Sequence, residues 1–341
     1  MNMNRMDALG RTLIVVNPAA QSGAAAGAAE RLKRFLTMYC HREAFDIAQT
    51  ERPRHATEIA AGATGYDTVI ALGGDGVAHE VACGLMRIEK GRRPTLGVIP
   101  VGSGNDFART LGLTDVTDVS GTDFSPLLTS SAAPIDVLEI TCRSHAGGTT
   151  HTWTEYAVQT ISFGLDAAIA IDTHAMRKIT GLTGAPLYLA SGLKAFGRDY
   201  RDFPAHVRFD GGAEKRVRTI IFAIQNGPTY GSGFRICPQA DPRDGLLDVC
   251  YATGPAPRAV ALPVFLSAKN GGHTHNPHVH LQRAKRVDLV FPSPTYPIQL
   301  DGEQVGAAEM SIEVLPSALS VLWPRWPPPR IIPAQATRSK K

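Results

Sequence analysis

Three glycine-rich turns and two acidic segments of this sequence hold the side chains best suited to chemistry. Ala71-Leu72-Gly73-Gly74-Asp75-Gly76 leads from an apolar run into a helical pattern that carries Glu80. Pro100-Val101-Gly102-Ser103-Gly104-Asn105-Asp106 leads into another that carries Arg109, and Asn17-Pro18, followed by Ser22-Gly23, closes the first apolar run. Glycine at such turns lets the backbone close on a phosphate, and the helix start that follows offers unpaired N–H groups with a partial positive charge. Asp75 narrows what the turn can hold. A carboxylate inside a phosphate cradle repels the phosphates unless a divalent cation bridges them, so this turn implies Mg²⁺ or direct acid–base work. Asn105 and Asp106 also have the plainer use of starting a helix. Of the acidic segments, Asp241 and Asp244 with the carbonyl of Leu246 can present hard oxygens to Mg²⁺, the alternative being an ordinary pair of Asp-Pro and Asp-Gly turns. The other is Asp301-Gly302-Glu303, whose Glu303 by itself reads as a solvated glutamate beside a turn.

The elements that position these residues follow from the apolar pattern. Leu13–Val16 precedes an Ala-rich stretch to Tyr39, Ala44–Ile47 precedes His55–Ala63, Thr68–Leu72 precedes Val77–Ile88, and Leu96–Val101 precedes Phe107–Leu111. This alternation predicts βαβ units, hence an open α/β domain with a parallel sheet. Val77, Val81, Leu85 and Ile88 form one helical stripe. In such a sheet ligands bind beyond the carboxyl ends of the strands, which is where all three turns fall. Beyond Ala132 the pattern turns β-rich: Ile135–Cys142, Trp153–Phe163, Ala205–Phe209, Thr219–Gln225, Leu247–Ala252, Arg286–Phe291, Ile298–Leu300 and Ser311–Val314. One helical stretch, Ala167 to about Phe196, interrupts it, and a second, mostly β domain is expected.

Composition sets the outer limits. The 341 residues are 43% hydrophobic and 19% charged, with 33 Gly and 24 Pro, which suits two globular domains and excludes a disordered or collagen-like chain. A net charge of +4 is too small to argue for nucleic acid. No apolar run reaches the ~18 residues of a membrane span, Ala259–Ala268 being short and interrupted by Pro263. Leu13–Val16 ends in Asn17-Pro18 and does not read as a secretory signal. Cys40, Cys83, Cys142, Cys237 and Cys250 have no CxxC spacing, so a reduced, cytoplasmic protein is expected. His273, His275, His278 and His280 lack an assisting cysteine and read as a solvated loop.

Taken in order, the motifs carry a family resemblance. Gly73 to Val81, GGDGVAHEV, resembles the GGDGTxNEV signature of the diacylglycerol kinase catalytic domain, and Pro100 to Arg109, PVGSGNDFAR, is similar to its PxGTxNDFAR. Phe163-Gly164-Leu165-Asp166-Ala167 resembles the GxDA segment. Asn226, Tyr230 to Gly233 and Pro238 to Ala240 resemble the N…GGG…PxA region, and Asp244 to Val249 and Asp301 to Glu303 resemble DGxLDV and DGE. The resemblance spans roughly residues 12 to 315.

It implies an ATP-binding α/β domain over residues 10–132 with a fold like NAD kinase and phosphofructokinase, and a β-sandwich-like lipid-binding domain over 133–315. A C-terminal segment, 316–341, would pack partly back on the first domain, and the active site would lie in the cleft between domains. The implied activity is transfer of the ATP γ-phosphate, with Mg²⁺, to a lipid hydroxyl at a membrane surface visited transiently; the lipid would be diacylglycerol or a relative such as a sphingoid base or phosphatidylglycerol. A homodimer stays open. Glu303 would be the general base and Asp75 would sit at the catalytic Mg²⁺. Asn17, Thr50, Gly73, Gly74, Gly76, Glu80, Ser103, Asn105 and Asp106 would line the nucleotide, and Asp241, Asp244 and Leu246 would form a second, structural Mg²⁺ site. Ala259–Ala268 and Trp323–Trp326 suit either a membrane interface or core packing, and the histidine loop could line the lipid entrance. Val77 and His79 depart from the signature's Thr and Asn. Two rivals therefore stand beside the kinase reading: a catalytically weak lipid- or nucleotide-binding protein of the same fold, and a soluble-substrate kinase resembling NAD kinase.

Overall fold

The computed structural model describes residues 9–18, 20, 24–39, 45–113, 124, 127, 129–146, 148–181, 184–198, 200–293 and 295–324. Ser22-Gly23, Cys40 and the segment from Arg325 to Lys341 lie outside the described residues.

The first half alternates as its pattern requires: β1 (Thr12–Val16), α1 (Ala24–Tyr39), β2 (Phe45–Gln49), α2 (His55–Ala61), β3 (Thr68–Gly73), α3 (Asp75–Met86), β4 (Thr95–Pro100) and α4 (Asp106–Thr110). β1 and β3 are buried along their whole length, as strands covered on both faces must be. The four strands are parallel in the order β4-β3-β1-β2. α1 buries Ala25, Ala28, Ala29, Leu32 and Leu36, one helical face, while α3 buries Val77, Val81 and Leu85 together with Ala78 and Ala82.

The second half contains β5 (Ser131–Ala146), β6 (Thr149–Ala157), β7 (Thr160–Gly164), α5 (Leu165–Thr180), α6 (Gly184–Arg198), β8 (Phe203–Phe209), β9 (Lys215–Gln225), β10 (Leu247–Thr253), α7 (Arg258–Ser267), β11 (Val279–Ala284), β12 (Arg286–Val290), β13 (Ile298–Leu300), β14 (Glu303–Gln304) and β15 (Glu309–Trp323). Apart from the single parallel bridge of β15 to β4, Val321 opposite Leu96, its strand pairs are antiparallel.

Four sequence expectations change. The single helix over 167–196 is two, α5 and α6. The run Trp153–Phe163 breaks at Val158-Gln159, because those amides turn to the Asp301 carboxylate instead of a neighbouring strand. The last strand continues to Trp323, whose side chain is buried among the apolar residues of the first half. Ala259–Ala268 falls almost wholly within α7, which accommodates Pro263 on its exposed side.

β5 and β15 join the halves. The lower part of β5 (Ala133, Ile135, Val137) belongs to the core of the parallel layer, and its upper part (Leu138, Ile140, Cys142) belongs to the β-rich core. β15 does the same, with Met310, Ile312 and Val314 in one core and Leu319, Val321 and Trp323 in the other, across a register shift between Leu315 and Leu319. Among the described residues no helix is long and apolar enough to cross a membrane.

α2 and α3 touch backbone to backbone. A Cβ at Gly84 would collide with the Thr57 carbonyl and the Ala60 methyl, so only glycine fits there. Gly84→Ala should lower unfolding stability by about 1–3 kcal/mol through overpacking, read as a shifted urea midpoint.

Candidate active site

A cleft of about 970 Å³ opens between the halves, walled on one side by the strand-to-helix turns of the parallel layer and on the other by the starts of β7 and α5, the Tyr230-Gly231 turn and the Asp301–Glu303 loop. Asn17, Thr50, Gly74, Asp75, Gly76, Glu80, Ser103, Asp106 and Glu303 all line it. Gly73 is buried just behind, and Asn105 holds the second turn from inside, its side-chain amide donating to the Gly102 carbonyl at 2.9 Å. Asn105 takes the left-handed conformation, φ 55°, at the head of α4. The two glycine-rich turns press on each other so closely that a Cβ on Gly102 would overlap Gly74 Cα.

Several carboxylates here are spent on holding loops. Asp75 accepts a hydrogen bond from the Phe107 amide at 3.2 Å, tying the first turn to the second. Asp106 accepts the amides of Ser232 and Gly233, each at 2.8 Å, tying α4 to the opposite wall. Glu80 accepts the amides of Arg54 and Ala56 at 3.0 and 3.1 Å and so satisfies the start of α2. Burial raises the Asp75 carboxyl to about 7, with repulsion from Asp106 and Asp301 adding to it. Burial also raises Asp106, against the lowering effect of its two amide donors. The Asp106 charge raising Asp75 marks a pair of acidic oxygens of the kind a divalent cation neutralises, although among the described residues no group of three or more ligating side chains is gathered here.

Glu303 reaches the same place from the other half. Its Oε1 lies 3.1 Å from where a Cβ on Gly76 would be, over the first turn of α3. Asp301 anchors that loop: it accepts amides from Val158, Gln159 and Thr160 at 2.7–3.0 Å and a ring nitrogen of His79 at 3.0 Å. Deeper in the cleft the wall turns apolar with Ile169, Ala170, Phe234 and Phe265, and here lie two groups that sequence reasoning placed in motifs without a role. Both carboxylate oxygens of Asp166 and the Tyr230 hydroxyl are buried without a hydrogen-bond partner among the described residues. Burial pushes the Asp166 carboxyl up to about 7, and burial together with the Asp166 charge holds the Tyr230 hydroxyl well above its ordinary range. Buried polar groups left without a hydrogen bond are rare in a folded protein, and here two of them stand together on the cleft wall.

Asp241, Asp244 and Leu246 are not part of this cleft. Asp241 is held by both arms of Arg243 at 2.6 Å, and Asp244 faces Arg283 at 3.5 Å while its Oδ1 accepts the Leu246 amide. Among the described residues no group of three or more His, Cys, Asp or Glu side chains is arranged for a metal ion. The sequence offered hard oxygens there, and in the structure Asp241 and Asp244 are each paired with an arginine. The histidine loop is corrected as well: His273 is buried, contacts the Ile236 carbonyl at 3.0 Å, and with His278 lines a small apolar pocket behind α7.

Residues 11–140 match the family model described as diacylglycerol kinase catalytic domain, and residues 159–323 match the one described as YegS C-terminal NAD kinase beta sandwich-like domain. A Salmonella gallinarum protein named "Probable lipid kinase YegS" is 30% identical over 264 residues, covering 75% of this chain and 77% of that protein. A Mycobacterium tuberculosis protein named "Diacylglycerol kinase" is 29% identical over 333 residues, covering 94% and 97%. Among solved structures, a diacylglycerol kinase from Bacillus anthracis superposes with TM-score 0.70 at 21% identity, over 95% of this chain and 99% of that one. Yeast NADH kinase complexed with NADH gives TM-score 0.50 at 11% identity, over 92% and 83%. At these identities the two structures speak for the fold.

The Asp166 shift has a consequence for stability. A carboxyl titrating near 7 when folded and near 4 when unfolded binds its proton more tightly in the folded state, so its contribution to stability declines as pH rises through that interval. Asp166→Asn should therefore lose less stability than the parent between pH 5 and pH 8, measured as urea midpoints.

Proposed function

The chain belongs to the bacterial lipid kinase family that carries the diacylglycerol kinase catalytic domain, and from that premise we propose that it transfers the γ-phosphate of ATP to a lipid hydroxyl, with diacylglycerol the first acceptor to test. The supporting observation is the division of the cleft. Glycine-rich turns with Asp75 stand on one side, Glu303 faces them across Gly76, and an apolar arm with the unsatisfied Asp166–Tyr230 pair runs off behind. A soluble-substrate kinase has no use for that arm.

Phosphoryl transfer asks a protein chiefly for positioning and charge neutralisation. The amides at the start of α3 and the Gly73–Gly76 turn cradle the phosphates, and the Ser103 hydroxyl adds a donor from the second turn. Asn17 and Thr50 border the nucleotide end. A divalent cation, when bound, neutralises phosphate charge; Asp75 is the carboxylate placed to hold it, and Asp106 keeps its neighbouring turn fixed. Asp166 and Tyr230 orient the acceptor headgroup, the apolar arm takes the chain, and Glu303 accepts the proton of the attacking hydroxyl.

The acceptor has to be reached at a membrane. α7 packs on α6 through Phe265, which meets Gly192 and also lines the cleft, while Val260 and Leu266 of α7 and Leu193 of α6 stay 47%, 42% and 51% exposed. Exposed apolar side chains on two packed helices, one of which lends Phe265 to the cleft, suit shallow insertion between lipid headgroups.

Two expected outcomes test the reading. Glu303→Gln should lower turnover by about 10²–10⁴-fold while ATP binding stays within threefold, in a radiolabelled ATP assay with Mg²⁺ and diacylglycerol, sphingoid base or phosphatidylglycerol in mixed micelles. Label in no lipid, with ATP binding intact, would favour a binding protein. The double variant Val260→Asp, Leu266→Asp should sediment with anionic vesicles at least about fivefold less than the parent while keeping activity on a short-chain soluble acceptor.

A further inference from the structure

We propose that His79 is a positioning residue for the phosphoryl-transfer reaction: its ring fixes the Asp301–Glu303 loop over the start of α3. This rests on the assignment of Glu303 as the base.

His79 lies one turn into α3, four residues after Asp75, and its side chain is buried away from the cleft. Its Nδ1 stands 3.0 Å from Asp301 Oδ2. Asp301 also accepts the amides of residues 158–160 but, among the described residues, takes no other side-chain hydrogen bond from the parallel layer, so His79 is the direct tie there from the phosphate-turn helix to the loop. Asp301 itself is left-handed at φ 48° and is followed by Gly302 at φ 97°, a tight turn that leads straight to Glu303. Glu303 is exposed, and among the described residues its side chain has no hydrogen bond; its backbone pairs with Leu300 across the turn that Asp301 and Gly302 make, so its place over Gly76 follows that turn, which Asp301 anchors and the Gln299 side chain supports. A shift of the anchor passes directly to the carboxylate that must meet the acceptor proton.

The contact depends on one proton at one place. The carboxylate facing Nδ1 keeps the proton there in the neutral ring, and the imidazolium carries it too, so both states donate to Asp301. Among the described residues the polar neighbour of the far nitrogen, Nε2, is the Cys83 sulfur at 3.6 Å. Asparagine, the residue of the resembling signature at this position, places its Nδ2 at the same number of bonds from the backbone as Nδ1. Glutamine places its amide one bond farther, where Nε2 is. The geometry thus separates variants of similar polarity by where their donor falls.

The test compares His79→Asn, His79→Gln and His79→Leu with Glu303→Gln, in the full chain, by steady-state kinetics with ATP and the lipid acceptor and by calorimetric binding of ADP. Asparagine should keep kcat within about threefold, whereas glutamine and leucine should lower it about 10–100-fold with ATP KM changed less than threefold, the cost expected of a misplaced reacting group. ADP binding at parental affinity establishes that each variant is folded at the nucleotide side, and a glutamine variant of parental melting temperature excludes a purely structural loss. Parental kcat in both the leucine and glutamine variants, or an asparagine variant as impaired as leucine, would overturn the role of the Nδ1 donor. Near-normal turnover by Glu303→Gln would instead remove the base assignment, and with it this inference; an inactive Glu303→Gln beside a fully active His79→Leu sinks the inference alone.

Discussion

The pairing of β5 with β15 is the constraint on which the rest of the molecule depends. It runs from Glu309 opposite Arg143 to Trp323 opposite Ser131, and both strands change cores along the way. Two hydrophobic cores that share the same two strands cannot drift apart without breaking a ladder of backbone hydrogen bonds. The cleft is therefore a gap of fixed floor, and loops from distant parts of the chain meet across it at hydrogen-bond distance. Arg93 reinforces the joint from the first half, where its guanidinium gathers the carbonyls that end α3 and reaches the Ala318 carbonyl of β15.

Over that floor the site is assembled by carboxylates used as fasteners. Asp106 pins the Ser232-Gly233 turn, Asp301 pins the break after β6, and Glu80 pins the start of α2, each by accepting main-chain amides. Charge-assisted bonds of this type are short and directional, which suits loops that have no regular pairing of their own. Burial raises both Asp75 and Asp106, and the charges of Asp106 and Asp301 raise Asp75 further. Asp166 differs in kind. Its oxygens are buried beside the Tyr230 hydroxyl at the apolar end of the cleft with no hydrogen bond of good geometry among the described residues, so burial raises it where the others are tied into joins.

The departures from the family signature look different once placed. Val77 packs against Gly73 at the base of the turn and is 6% exposed, so its lost hydroxyl is replaced by a core contact. His79 points away from the cleft to Asp301, across 222 residues of sequence, and could not have been given a partner by local pattern. The Asp241–Asp244 loop went the other way: its oxygens were legible as ligands, and the arginines that claim them, Arg243 beside it and Arg283 from β11, were not.

The sequence by itself determined the alternating layer, the glycine-rich turns at Gly73–Gly76 and Gly102–Asp106, the β-rich second half and the order of the motifs. These depend on local periodicity and on glycine's conformational freedom, which short windows of sequence carry in full. Only the tertiary structure decided that β15 runs on to Trp323 and binds the halves together, that 167–196 is two helices, that Asp301 rather than Glu303 holds the loop, and that Asp166 and Tyr230 stand unsatisfied in the cleft. Each of these depends on which groups meet after the chain has closed on itself. A carboxylate in the sequence is the same residue whether it ends up as a fastener, an arginine's partner or a buried group without a hydrogen bond, and burial with its available donors makes the choice.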